Sequence, residues 1–87
     1  NMAYQKLQAG QAATVTASDT VGIPLPGGAG EKNNGCVLYV GVAGDLRVTT
    51  SANNDVTFVG VQAGFFPVNV IKVWATGTTA TDIIALW

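Results

Sequence analysis

Apolar residues along this chain recur at alternate positions or in short unbroken runs. No window keeps the i, i+3, i+4, i+7 spacing of a helix face together with helix-forming residues. Eleven glycines interrupt every candidate helix, and Val, Thr and Ile dominate the runs between them, which is strand composition. Residues 36–40 (Cys-Val-Leu-Tyr-Val) form a continuous apolar run, long enough for one buried strand. Residues 46–50 alternate instead, with Leu46 and Val48 on one face and Arg47 and Thr49 on the other. Residues 56–61 (Val-Thr-Phe-Val-Gly-Val) make the next strand. The turns between these runs are residues 43–45 and 52–55, the second rich in residues that tolerate left-handed backbone. Three consecutive strands with short turns predict an antiparallel meander.

Residues 62–67 (Gln-Ala-Gly-Phe-Phe-Pro) read as a connection carrying two adjacent aromatics. Residues 68–75 read as a long strand whose parity changes at Val70-Ile71, which calls for a β-bulge or for burial of both faces. Residues 76–79 turn, and residues 82–87 close a hairpin. That last run is apolar and stops on Trp87, so it has to be docked, in its own sheet or against a partner. Toward the start, residues 12–16 read as a strand and Ser18-Asp19 as a turn, while Pro24 and Pro26 confine the extended residues 21–25 to an edge. Residues 4–10 hold a short strand or an extended arm, and residues 26–35 are one long Gly-rich loop without an apolar anchor. About seven or eight short strands at roughly ten-residue spacing predict an all-β fold, a small antiparallel β-sandwich or barrel of jelly-roll type. Residues 1–87 then form a single domain, with residues 1–10 as an N-terminal arm able to add a strand to a neighbour's edge.

Size and composition add the need for neighbours. A chain of 87 residues buries only about 60–65% of its unfolded surface, so its core needs help. Cys36 is the only cysteine, which excludes an intrachain disulfide, and there is no histidine. Cys36 and five scattered carboxylates make no zinc site, and the aspartates lack the spacing of a calcium loop, so no cofactor or metal is expected. Charged residues are 10% of the chain while 48% is hydrophobic, against roughly 25% charged in ordinary domains. The surface is left to Thr, Ser, Asn, Gln and Gly, which suits a homo-oligomer whose surface is largely covered. Lys6, Lys32, Arg47 and Lys72 are dispersed and the net charge is −1, which argues against nucleic acid. No apolar run approaches the roughly 20 residues of a membrane span, and no signal-peptide pattern is present. The lack of disulfides fits cytosolic synthesis, and Asn1 precedes Met2.

Little here builds an enzyme. The Gly-rich loop lacks the residue order of a phosphate-binding loop, and no helix follows it. Cys36 has no histidine to activate it and reads as a buried small hydrophobe. Asp19, Asp45, Asp55 and Asp82 each sit at a turn or strand start, where a carboxylate accepts backbone hydrogen bonds. The large aromatics are the stronger lead. Tyr4, Phe65, Phe66, Trp74 and Trp87 are the candidate interface residues. Phe65 and Phe66 are neighbours and face opposite ways if extended, so one of them points out of the core.

Several segments occur in an order shared with a known group. They are Leu38-Tyr-Val-Gly, Ala43-Gly-Asp-Leu, Val48-Thr-Thr, Val56-Thr-Phe, Gln62-Ala-Gly, Pro67-Val and the stretch from Ala75-Thr-Gly-Thr-Thr-Ala-Thr-Asp to Trp87. Residues 36–87 thereby resemble small structural proteins of tailed-phage heads and related gene transfer agents, among them capsid decoration (cement) proteins and head-spike base proteins. The resemblance implies a β-rich virion protein on the outer capsid surface, bound to the major capsid protein as a symmetric oligomer. A trimer bridging capsomers is favoured, because the short chain carries no receptor-binding head; a pentamer at vertices would carry a fibre. It supplies no catalytic residues. A spike base or other carbohydrate- or host-binding module is the alternative reading, and it requires exposed aromatics beside Asn or Asp on one face.

Overall fold

The computed structural model describes residues 8–25 and 33–87. Six strands form: β1 (Ala12–Thr14), β2 (Cys36–Val42), β3 (Gly44–Thr50), β4 (Asp55–Val61), β5 (Gly64–Val73) and β6 (Thr81–Leu86). All pairs are antiparallel and join into one sheet in the order β1-β6-β2-β5-β3-β4. The all-β expectation holds, and no helix occurs among the described residues. The described strands number six rather than seven or eight, because the described residues of the N-terminal third supply only β1 and a single bridge at Pro24. A proline cannot donate to a ladder, so residues 21–25 stay a strap rather than a strand. The expected arm over residues 1–10 lies outside the described residues as far as Leu7, as does most of the Gly-rich loop.

The register corrects the meander. Pairs run from Thr49↔Asp55 through Leu46↔Phe58 and Gly44↔Val61 to Val40↔Gly64 and Cys36↔Val70. β2 with β3, and β4 with β5, are thus the two arms of one long hairpin, with its tip at residues 51–54. The arms break at Ala43 and at Gln62-Ala63. Ala43 alone links β2 to β3, and one residue is too short to reverse the chain as a hairpin turn does. The chain bends there instead. Folding over at both breaks returns the tip to the base, where Val48↔Val73, Thr49↔Lys72 and Thr50↔Val70 pair. β5 therefore lies between β2 and β3. The hairpin expected at residues 68–87 is corrected likewise: β6 pairs with β2 and β1, not with β5. The link between β5 and β6 is held along β3 instead, by Trp74 N–H to Arg47 O (2.9 Å) and by Thr79 and Ala80 N–H to Asp45 O (2.9 and 3.0 Å).

The rolled hairpin encloses the core. Leu38, Val40, Leu46, Val48 and Val70 are fully buried, each worth about 1.5–3 kcal/mol of transfer free energy. Ile71 is the extra residue of a bulge against Thr49 and Thr50, at the parity change seen in the pattern. The bulge turns both Val70 and Val73 inward, and the Ile71 carbonyl accepts the Ile23 N–H at 2.8 Å. A second bulge places Val59 and Gly60 opposite Asp45. Gly60 takes φ 69° there, and its N–H donates to Asp45 Oδ1 at 3.0 Å. The final residue is docked in its own sheet: Trp87 N–H donates to Gln11 O (3.0 Å), and Gly10 N–H to Trp87 O (2.7 Å).

Candidate functional site

Alternation decides which side chains of β2 face outward. Leu38 and Val40 are wholly buried, so Val37 and Tyr39 turn to the opposite face. Cross-strand pairing extends that face in rows: Phe65↔Tyr39↔Ile84↔Thr14, and beside it Val37↔Leu86↔Ala12. Phe65 is 76% exposed and Tyr39 40%, and their rings meet edge to face with centroids 5.6 Å apart. Of the two adjacent phenylalanines, Phe65 points out and Phe66 points in. Phe66 is 7% exposed and packs against Phe58 at 4.9 Å, so its surface is already used inside the chain. These rows carry no charged side chain. Asp82 lies at the far end of the face, next to Gly41, where a Cβ would meet the Asp82 side chain.

At the other end the face opens into a depression of ≈470 Å³, lined chiefly by Phe65, Val37, Leu86, Trp87, Asn69 and Gly35. Two of its lining residues, Gly35 and Trp87, are held by Asn33, the one buried polar residue among those described. Asn33 Oδ1 accepts Gly35 N–H (2.7 Å) and Trp87 Nε1–H (3.1 Å), while Nδ2–H donates to Val70 O (3.4 Å) and Cys36 Sγ (3.5 Å). Gly35 adopts φ 138°, and a Cβ there would lie 2.5 Å from the Asn69 amide. Only glycine allows Asn69 to lie flat against that backbone. The Asn69 side chain is exposed and makes no hydrogen bond among the described residues. Cys36 is buried at 2%, and burial pushes its thiol pKa up, which keeps it an unreactive core residue.

Among the described residues, Arg47, Asp55, Lys72 and Asp19 gather on the other half of the sheet. Arg47 donates to both Asp55 oxygens from Nε and Nη2 (3.1 and 2.9 Å). The guanidinium carbon of Arg47 lies 3.9 Å, and Lys72 Nζ 3.6 Å, from the centre of the Trp74 ring. Trp74 Nε1–H donates to Thr49 Oγ1 at 2.9 Å. Trp74 is therefore engaged within the chain, and Trp87 is partly buried against the core. The Thr-Gly-Thr-Thr segment serves β3: Asp45 N–H donates to Thr79 Oγ1 (2.8 Å) and Arg47 N–H to Thr78 Oγ1 (3.0 Å). Asp19 accepts Thr76 N–H (2.8 Å) and the Thr76 hydroxyl (2.6 Å). Those bonds, the hydroxyl's above all, hold its carboxyl below the usual range, and Arg47 does the same for Asp55. No group of three or more His, Cys, Asp or Glu side chains converges among the described residues. What the surface can do is bind by apolar contact.

Of the five aromatics singled out in the sequence, Tyr4 lies outside the described residues, and of the other four Phe65 alone is largely exposed. Tyr39, Asn33 and Asn69 carry the site without having been legible in advance. An outward residue inside the apolar run 36–40 is betrayed only by its hydroxyl. Asn33 looked like one more polar residue of a Gly-rich loop.

No protein-family model matches the chain, and no curated protein matches it. Among solved structures, it is similar to a chain of the "Capsid of native GTA particle computed with C5 symmetry". The two are 24% identical with a TM-score of 0.72, over 94% of this chain and 87% of that one. This likeness shows that the chain shares its small antiparallel all-β fold with a component of that capsid.

Proposed function

We propose that this chain is a virion structural protein of a phage or gene-transfer-agent head, seated on the outer capsid surface against the major capsid protein as a symmetric homo-oligomer. The observation that carries the reading is the fold likeness to a component of a GTA capsid over 94% of the chain. The resemblance of residues 36–87 to small head proteins supports it from the sequence side. In this role the chain acts as a cement. It buries apolar surface across seams between capsomers, at about 25 cal/mol per Å² before association costs, and many copies add their small gains. The reading assigns it no catalysis. A trimer at local three-fold positions is the favoured arrangement. The test is to add the purified chain to heads lacking it and image the particles. Density on the outer surface at symmetric positions is the expected result; particles that stay bare, with unchanged thermal stability, would overturn the reading.

A second reading, a spike base or carbohydrate-binding module, is favoured by one observation. Phe65 stands exposed beside Asn69 and Trp87 at the mouth of a depression, the pairing of aromatic face and amide that sugars use. Glycan-array binding abolished by Phe65→Ala would support it, and no binding to any glycan would remove it.

A further inference from the structure

We propose that the two uncharged rows around Phe65 on the outer face of β5, β2, β6 and β1 bind a second copy of this chain about a two-fold axis, each Phe65 ring entering the depression beside the other copy's Phe65. The face carries both halves of such a contact. Phe65 projects from a paired strand at 76% exposure, and Tyr39 holds its ring edge on. A ring held this way loses little freedom on docking. The depression is ≈470 Å³, within the range of sites that enclose small apolar groups, and Leu86, Val37 and Trp87 offer it apolar walls. Projection and depression are adjacent on one face. A two-fold axis beside Phe65 fills both depressions at once, whereas a head-to-tail ring needs the two features on different faces.

Charge points to the same occupant. Arg47, Lys72, Asp55 and Asp19 all engage partners on the other half of the molecule, and Asp82 sits at the far end from the depression. A partner presenting charge to these rows would find no counter-charge in them among the described residues. A second copy presents the same uncharged rows. The exposed Asn69 amide at the rim has one donor end and one acceptor end, which its own two-fold mate complements. Exposed apolar patches of this kind cover roughly 300–600 Å². Two copies would bury about 600–1,200 Å², the low end of specific interfaces, so the dimer is weak and reversible. The contact goes beyond the capsid reading. On a shell it would link neighbouring oligomers, yet its geometry does not depend on the shell.

The experiment is sedimentation equilibrium of the whole chain from about 1 to 500 µM, where dimers of this strength dissociate. A shift from monomer to dimer mass is expected. Phe65→Ser, which removes the projection, and Ala9→Glu, which places a charge at the depression outside any strand, should each weaken the dimer at least about tenfold. Val59→Ser, on β4 and 80% exposed, should leave it unchanged, and circular dichroism checks that each variant folds. A wild-type chain that stays monomeric, a dimer indifferent to both variants, or glycan binding at Phe65 by a persistent monomer would overturn the inference. A monomer that still binds heads overturns this inference alone, and a dimer that binds no heads overturns the capsid reading alone.

Discussion

Asn33 joins three parts of the chain: the loop before β2 through Gly35, the core of β5 through Val70, and the last residue through Trp87. Removing a partner from a buried donor or acceptor costs the full desolvation of what remains, about 1–3 kcal/mol for each group. Asn33→Ala should therefore lower unfolding stability by about 3 kcal/mol in urea titrations, far more than truncation of exposed Asn34, which should change it by less than about 0.5 kcal/mol. Asp19 and Asp55 make a prediction about pH. Both carboxyls have folded pKa values held below the ordinary 3.8. Their stabilisation is thus fully present above the unfolded value and is lost as pH falls through the depressed one. The melting temperature should hold steady above about pH 5 and drop below about pH 4. Asp19→Asn should flatten that acid limb in thermal scans. The local turn roles expected of the aspartates are corrected: Asp19 and Asp45 accept backbone N–H groups 57 and 15 residues away, and Asp55 pairs with the Arg47 side chain. The long-range role of Asn33 was not legible either, since Val70 and Trp87 lie 37 and 54 residues away.

Most strands follow from local alternation, although Gly64–Pro67, read as part of a connection, belongs to β5. The parity change at Val70-Ile71 left a bulge or burial of both faces open, and the register shows the bulge, at Ile71. Which strand lies beside which did not follow. Alternation assigns a face, and both a meander and a rolled hairpin satisfy the same faces. The decision rests on Ala43 and on Gln62-Ala63, where the two arms fold together. The end of β6 gives a test at this scale. Deleting Leu86 and Trp87 removes the Leu86↔Ala12 pair and the backbone bonds of Trp87 to Gly10 and Gln11. It also strands Asn33. Amides of residues 10–14 should lose hydrogen-exchange protection, and stability should fall by about 3 kcal/mol or more. Unchanged protection would mean that β1 is held by other contacts.

For the molecule as a whole, low charge leads to the expectation that neighbours cover part of the surface, and the proposed two-fold contact puts one of them at the Phe65 face. A dimer through the Phe65 face ties stability to concentration. The melting temperature should rise by about 5 °C or more over a hundredfold concentration increase above the dissociation constant. In Phe65→Ser it should not move, and a concentration-independent wild type would count against the contact. By itself the sequence determined the class of fold and the approximate place of most strands. These are properties of residue type and local period, which any packing must respect. Only the tertiary structure decided that Phe65 stands out while Phe66 and Trp74 are engaged inside, and that Asn33, Gly35 and Asn69 shape a depression beside it. The reason is that a surface is made of residues distant in the chain, and their meeting depends on where a long hairpin folds over.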